Sequence, residues 1–229
     1  MALYAIGDLH LCLGAPKPMD IFGGAWVGYM DKLKAGLSVI TEEDTTVLLG
    51  DLSWALDLQE AKEDFAFLNA IPGRKIILKG NHDYWWSTAA KFQKFCAENG
   101  FENIYLLNNN FYEYGDVAIC GTRGWFFEEE RSGQHDEKVF KRELLRLEAS
   151  LKAAGEKRKL VFLHYPPRYK GYTCQEILDL LAKYDVRQCF YGHLHGPSHK
   201  LAMEGQWDGV IFKLVAADYI DFKPVKLMD

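Results

Sequence analysis

Three short apolar segments near the start of the chain each run into a glycine that is followed by a polar side chain. The junctions are Gly7-Asp8, Gly50-Asp51 and Gly80-Asn81. Short apolar segments are typical of buried strands, and the stretches between these three show the period of amphipathic helices. Strands that alternate with helices favour parallel pairing through βαβ units. The N-terminal half is therefore predicted to form a parallel α/β sheet.

Beyond residue 100 the predicted strands become shorter and are separated by tight turns such as Tyr114-Gly115-Asp116, which favours a hairpin. Asp57 is predicted to cap the second helix, with Glu60 completing a capping box. The chain has 229 residues and shows neither repeat nor linker, so we expect one domain, 1–229. The predicted strands are 3–6, 46–49, 76–78, 104–107, 110–114, 117–120, 160–163, 188–191, 200–204 and 210–216, the last two antiparallel, and the helices are 26–40, 58–69, 87–98, 134–154 and 173–183.

Polar clusters also follow two later strands, at His164 and at Gly192-His193-Leu194-His195. Together with Asp8-Leu9-His10 and Asn81-His82-Asp83, these strand ends contain five of the seven histidines. Ligands in open α/β sheets bind outside the carboxyl ends of the strands. We therefore expect the clusters to converge on one crevice.

The side chains at these strand ends offer carboxylate, imidazole and amide donors, with no thiolate among them. This set suits Mn²⁺, Fe or Zn²⁺ at a hydrolytic site better than a structural zinc site. It is too large for one catalytic metal that keeps an open position, and about large enough for two metals sharing a carboxylate. Two such metals clamp the attacking and leaving oxygens of an in-line displacement, and a bridging water ionises near neutral pH. The donor set therefore predicts hydrolysis of a phosphoester.

Taken in order, the blocks GDLH, GD, GNHD, H and GHLH resemble the calcineurin-like metallophosphoesterase family. The resemblance runs from Asp8 to His195 and covers most of the chain. It implies a four-layer α/β/β/α sandwich of two mixed β-sheets, the fold of the metallo-dependent phosphatases. The hairpins predicted in the middle and tail of the chain would supply the second sheet.

The resemblance also implies roles for individual residues and two divalent metal ions, Mn, Fe or Zn. His82 would act as general acid or stabilise the transition state, with Asp83 orienting it, while Asn81 would also contact a phosphate oxygen. The first metal would be bound by Asp8, His10 and His195, the second by Asn81, His164 and His193, and Asp51 would bridge the two.

Two departures from the protein Ser/Thr phosphatases of this superfamily argue against a phosphoprotein substrate. The second block, Gly50-Asp51-Leu52-Ser53-Trp54, lacks their arginine, and Asp83 stands where they have glutamate. The chain keeps His82 and every metal ligand, which favours a phosphohydrolase acting on a small phosphorylated substrate, a mono- or diester. The alternatives are a nucleotide phosphodiesterase or nuclease, and a non-catalytic metal-binding interaction module of the same fold.

Several residues near these blocks have two interpretations. Arg123 could clamp a phosphate beside the metals, because a guanidinium matches phosphate geometry, or it could form an ordinary salt bridge. His199 is interpreted as a surface residue or one that supports a ligand. The aromatic residues could wall the pocket or pack into the core, and these are Trp54, Tyr84, Trp85, Trp86, Trp125, Phe126 and Phe127.

Composition excludes some classes of function. The net charge of −5 argues against a general nucleic-acid binder, which usually carries a basic face. No apolar stretch is long enough for a membrane helix, and the N-terminal residues do not resemble a signal peptide. The five scattered cysteines suit a reducing compartment, so we expect a cytoplasmic protein. Neither the oligomeric state nor the physiological substrate follows from the sequence.

Overall fold

The structure is a computed structural model that describes residues 1–125 and 134–229; for residues 134–136 it describes the backbone only. The strands are β1 (Leu3–Ile6), β2 (Thr45–Leu48), β3 (Arg74–Ile77), β4 (Ile104–Leu106), β5 (Tyr112–Tyr114), β6 (Val117–Thr122), β7 (Arg158–Leu163), β8 (Arg168–Tyr169), β9 (Tyr172–Thr173), β10 (Gln188–Tyr191), β11 (Gly205–Trp207), β12 (Val210–Leu214) and β13 (Val225–Met228). The α-helices are α1 (Tyr29–Leu37), α2 (Lys62–Ala70), α3 (Ala89–Asn99), α4 (Gln134–Ala153) and α5 (Gln175–Lys183).

Two mixed sheets account for most of these strands. The first has the order β13-β1-β2-β3-β4, in which β1 to β4 are parallel and β13 is an antiparallel edge. The second has the order β11-β12-β10-β7-β6-β5, in which the four central strands are parallel and both edges are antiparallel. Parallel strands point their carboxyl ends to one edge, so each sheet presents several strand ends together.

The two sheets pack face to face because alternate side chains of each strand point to opposite faces. Leu3 and Ala5 of β1 belong to the same buried cluster as Ile119 of β6 and Phe162 of β7, which lies between the sheets. The side chains on the outer faces of the two sheets pack against the helices. A second cluster joins the first sheet to α1–α3, and a third joins the second sheet to α4 and α5. The predicted α/β/β/α sandwich of two mixed sheets is therefore confirmed.

Four helices begin two to four residues later than predicted, and for α1 and α2 the local reason is clear. Helix α1 starts at Tyr29 because Gly28 has left-handed backbone, with φ of 64°, and Trp26 ends a separate 3₁₀ turn over Gly24–Trp26. Asp57 does accept hydrogen bonds from the backbone N–H groups of Gln59 and Glu60. The turn that it closes ends at Ala61, and α2 starts at Lys62.

The strands of the middle and tail differ more from the prediction. Strand β4 pairs in parallel with β3 in the first sheet, so only β5 and β6 form the expected middle hairpin. The prediction of a strand at residues 200–204 is wrong, because Gly196–Leu201 forms a 3₁₀ turn and β11 begins only at Gly205. Strand β12 pairs in parallel with β10. Strand β13 is not predicted, because it is a short edge strand whose side chains are partly exposed and show no buried apolar pattern. Within the described part of the chain, no helix is both long and apolar enough to cross a membrane.

Candidate metal centre

The carboxyl ends of the two sheets are joined to one another by backbone hydrogen bonds. Gly7 N–H donates to the carbonyl of Val215 at 2.8 Å, and Ala217 N–H donates back to Gly7 at 3.0 Å. Asp8 N–H donates to the carbonyl of Gly50 at 2.9 Å. The loops after β1, β2 and β12 are therefore fixed against each other, which brings their polar side chains into one crevice.

Four of the predicted metal ligands have left-handed backbone, which is unfavourable for residues other than glycine. The φ values are 59° at Asp8, 47° at His10, 49° at Asp51 and 71° at His193. Strain of this kind is typical of functional sites held in place by their surroundings. At these positions it turns the side chains from the strand direction into the crevice.

The glycines of the blocks are needed because neighbouring loops approach very closely. A Cβ at Gly80 would lie 2.1 Å from Oδ1 of Asp51, and a Cβ at Gly192 would lie 2.3 Å from Oδ2 of Asp8. Either contact would push a predicted ligand out of place. The GNHD and GHLH blocks therefore require glycine for close packing against Asp51 and Asp8.

One group of potential ligands consists of Asp8, His10 and His195, each of which offers one atom within 4.8 Å of the others. The Nε2 atoms of the two histidines are 3.2 Å apart, and Nε2 of His195 lies 3.5 Å from Oδ1 of Asp8. Nδ1 of His195 donates to Asp218 at 2.8 Å. Burial opposes protonation of His195, but its hydrogen bonds to Asp218 and Asp8 raise its pKa to about 10. A cation bound here would therefore replace a proton.

A second group consists of Asp8, Asp51 and His164, again with one atom each within 4.8 Å. Nδ1 of His164 lies 3.0 Å from the carbonyl of Leu49, and a carbonyl only accepts, so Nδ1 carries the proton. Nε2 therefore presents its lone pair, 2.6 Å from Oδ1 of Asn81 and 3.5 Å from Oδ1 of Asp51. Two lone pairs at 2.6 Å repel each other unless a positive charge is shared between them.

Asp51 joins the two groups, and His193 lies beside them. Asp51 directs Oδ1 towards His164 and Oδ2 towards His10, whose Nε2 is 3.8 Å away, so it stands between the two groups. The backbone N–H of His193 donates to the carboxylate of Asp8 at 2.9–3.0 Å, and its ring lies 5.2 Å from that of His164. The structure thus brings all seven predicted ligands together, and their roles as ligands stay a prediction.

The chemistry of these donors fits divalent cations. Oδ2 of Asp51 and Nδ1 of His10 are buried and have no hydrogen-bond partner within residues 1–125 and 134–229. Burial, followed by the charges of Asp83 and Asp8, raises the pKa of Asp51 well above its usual value. Burial lowers the pKa of His164 well below its usual value, and lowers that of His193 to about 3. Buried carboxylates beside neutral imidazoles are costly without a cation and favourable with one.

His82 lies beside this centre with its ring 5.9 Å from the ring of His10. Its backbone N–H donates to Oδ1 of Asp51 at 2.7 Å, and its Nδ1 lies 3.0 Å from the hydroxyl of Tyr84. Burial, followed by the charges of Lys17 and His195, lowers the pKa of His82 to about 4. His82 is therefore a neutral imidazole near neutral pH, which favours the transition-state role over that of general acid.

The prediction that Asp83 orients His82 is wrong. Asp83 is fully buried, and its carboxylate points back at the loop after β2. Oδ2 accepts from the backbone N–H groups of Asp51 at 2.9 Å and Gly80 at 2.7 Å. Oδ1 accepts from the N–H groups of Leu52, Ser53 and the indole of Trp85. Asp83 therefore fixes the loop that carries Asp51, and the hydrogen bond to the ring of His82 comes from Tyr84 instead.

For Arg123 the structure favours the salt bridge over the phosphate clamp. Its guanidinium lies 3.5 Å from the buried carboxylate of Glu143 and 5.0 Å from the ring centroid of Trp125. It lines a small cavity with Lys79 and Arg146, separate from the cavity beside His82. A role for Arg123 in binding substrate thus finds no support in its contacts.

The aromatic residues divide between the two interpretations. Trp54 stacks on His10 with ring centroids 4.8 Å apart and lines a cavity beside it. Trp85 is buried in the core, with its ring 4.9 Å from Phe65. Tyr84 is half exposed at the edge of the centre. Phe126 and Phe127 lie outside the described residues.

Asp218 and Trp26 belong to the centre but are not predicted from the sequence. Asp218 accepts a hydrogen bond from His195 and lies 3.3 Å from Nε2 of His199, so His199 supports a predicted ligand only through Asp218. It follows β12, so it obeys the same strand-end rule as the predicted ligands. The sequence does not indicate that β12 pairs in parallel with β10, so Asp218 is not predicted from it. Trp26 ends the 3₁₀ turn over Gly24–Trp26 and packs edge-on against His195 with 5.5 Å between ring centroids, a contact that no local sequence pattern indicates.

Comparison with known proteins identifies the family and the fold. A family model described as calcineurin-like phosphoesterase matches residues 1–197. A solved structure of a protein of unknown function from Aquifex aeolicus, AQ665, is 18% identical with a TM-score of 0.53, over 98% of this chain and 95% of that one. The structure of TT1561 from Thermus thermophilus is 15% identical with a TM-score of 0.57, over 99% of this chain and 97% of that one. At these identities the likeness concerns the fold alone. No curated protein matches the chain significantly.

Proposed function

Because the chain belongs to the calcineurin-like phosphoesterase family, we propose that it is a hydrolase that cleaves a small phosphomonoester or phosphodiester with two divalent cations. The observation that carries the proposal is the pair of donor groups that share Asp8 and have Asp51 between them. Both carboxylates are almost completely buried. Paired buried donors of this kind suit a two-metal hydrolytic site.

The residues divide into two sets around the central carboxylates. Asp8, His10 and His195 would hold one cation, and Asn81, His164 and His193 the other, with Asp51 contacting both. When bound, the cations would supply Lewis-acid activation of water and of the phosphoryl group. The choice among Mn, Fe and Zn depends on their availability as well as on the donor set.

His82 has a different task, because its side chain lies beside the donor groups and also lines the adjoining cavity. Tyr84 fits as the donor to Nδ1, which leaves the Nε2–H group of a neutral imidazole free to bind an oxygen of the substrate. Such a donor stabilises charge that develops on a phosphoryl or leaving oxygen in the transition state. Asn81 would help to place the same phosphate through its amide N–H group.

The test is turnover of p-nitrophenyl phosphate and bis(p-nitrophenyl) phosphate by metal-stripped protein to which Mn²⁺, Fe²⁺ or Zn²⁺ is returned. We expect hydrolysis with at least one of these ions and none with chelator. Asp51→Asn should abolish turnover, while Asp116→Asn, in an exposed turn, should behave as the wild type. Failure of every divalent ion to support turnover by folded protein would reject the proposal.

A further inference from the structure

A cavity of about 640 Å³ adjoins the donor groups on the side of His82. Its inner end is formed by the rings of His10, His82 and His195. Pockets of this size are typical of sites that enclose a small molecule. The cavity is therefore continuous with the place where the proposed reaction occurs.

Away from the histidines the wall of this cavity is apolar. Trp54 donates its indole N–H to the sulfur of Met19 at 3.1 Å, so the ring has no free polar group to offer a ligand. Trp26 packs edge-on against Tyr29 and Phe222, which fixes its orientation. The part of the wall formed by Met19, Trp26 and Trp54 is thus packed into the core, whereas Phe22, Ala25 and Pro197 are exposed at its outer part. Its apolar side chains come from Met19, Phe22, Ala25, Trp26, Trp54 and Pro197.

The charges around the cavity are confined to the end near the donor groups. Among the described residues that line it, the titratable side chains are histidines and Asp218, and none is lysine or arginine. Lys17 lies close by, but its ammonium is held over the ring of Trp54 at 3.4 Å from the centroid. A second phosphate or a carboxylate placed against this apolar wall, away from His195 and Lys17, would lose its hydration without gaining a cationic partner.

From these observations we infer that the cavity holds the leaving alcohol, and that the substrates are phosphoesters of uncharged, apolar alcohols, either aryl or alkyl. The inference rests on the proposed function, because it takes His82 to lie at the leaving oxygen. In the reaction the ester P–O bond breaks and a new P–O bond forms to water. One hydrogen of that water ends on the released alcohol, so no further reactant is needed.

Phe22 provides the sharpest test, because its side chain lines the cavity and is 62% exposed. Its truncation should therefore leave the fold intact. Ile21 is the matched control, since it lies in the same 3₁₀ turn, is 72% exposed and does not line the cavity. The pair separates an effect on the cavity from a general effect of removing an exposed apolar side chain.

The first measurement is independent of turnover. Metal-stripped protein is dialysed to equilibrium against 2-naphthol, which is neutral near neutral pH, and separately against glycerol. Wild type and Ile21→Ala should retain 2-naphthol, Phe22→Ala should retain it about 3- to 10-fold more weakly, and none should retain glycerol. Equal retention by wild type and Phe22→Ala, or no retention by wild type, would overturn the inference even if the protein is an active phosphoesterase.

The second measurement compares kcat/KM of the metal-loaded protein for 2-naphthyl phosphate, glycerol 2-phosphate and a nucleoside monophosphate. We expect the naphthyl ester to be preferred, and Phe22→Ala to reduce that preference by about the same 3- to 10-fold while glycerol 2-phosphate is unaffected. A preference for the nucleotide or for the glycerol ester would contradict the inference. Absence of all turnover would reject the proposed function and leave the dialysis result to decide on the cavity.

Discussion

Replacing Asp83 by asparagine tests whether this residue holds the loop of Asp51 or orients His82. The carboxylate accepts five hydrogen bonds, two at Oδ2 and three at Oδ1. An asparagine NH₂ group at the position of Oδ2 would meet the N–H groups of Asp51 and Gly80 as a third donor. The smallest loss is therefore two hydrogen bonds to a buried charged acceptor.

Hydrogen bonds to a charged group contribute about 1.5–3 kcal/mol each, so Asp83→Asn should cost about 3–6 kcal/mol of unfolding free energy. That is a large part of the stability of an ordinary domain, about 5–15 kcal/mol, and should lower Tm by about 6–24 °C. The loop carrying Asp51 would also lose its anchor, so metal affinity should fall.

The assay combines urea unfolding with a metal titration, carried out on wild type, Asp83→Asn and His82→Ala. We expect Asp83→Asn to lose both stability and metal affinity, and His82→Ala to keep both. Exposed Asp116→Asn controls for the loss of an acidic side chain. If Asp83→Asn instead kept the wild-type stability and metal affinity and lost only the activity that His82→Ala loses, the assignment to the Asp51 loop would be refuted.

Three other predictions follow from named contacts. His82→Ala should lower kcat by about 100- to 1,000-fold with unchanged metal content, because only a transition-state donor is removed; a matching loss of bound metal would contradict this. Asp218→Asn should weaken metal binding about 10- to 100-fold in a chelator competition, because it releases His195, whereas Asp221→Asn on the exposed surface should have no effect. Burial opposes ionisation of Asp44, but hydrogen bonds from Thr41 and Ala2 outweigh it and lower its pKa. Asp44 therefore stabilises the fold above about pH 4, the ordinary value of an aspartate, and loses this effect as the pH falls through its own pKa. The difference in urea midpoint between wild type and Asp44→Asn should decrease as the pH is lowered. A difference that does not change with pH would argue against this role of Asp44.

The ligand positions could be predicted from the sequence because each obeys a local rule. A short apolar strand ends at a glycine or directly at a polar side chain, and parallel strands bring such ends to one edge. Asp8, Asp51 and His164 all satisfy this rule, and the structure places them within reach of one another. Asp218 obeys it as well, but the sequence does not indicate that β12 pairs in parallel with β10, so Asp218 is not predicted as a site residue.

The partners of side chains were less predictable than their positions. Asp83 follows His82 in sequence, yet its carboxylate turns towards backbone N–H groups of Asp51 and Leu52, far earlier in the chain. Arg123 lies near His164 through its backbone, but its guanidinium turns away towards Glu143 of α4. Such choices depend on which unpaired polar groups a neighbouring loop presents, and this is settled only by tertiary packing.

The central claim is that the converged strand ends hold two cations. Native mass spectrometry of metal-stripped protein, reloaded with Mn²⁺, measures this directly. We predict two bound ions for the wild type and for Asp116→Asn, and fewer than two for Asp51→Asn, because Asp51 stands between both donor groups. One ion or none on the wild type, or two ions retained by Asp51→Asn with unchanged affinity, would contradict the account.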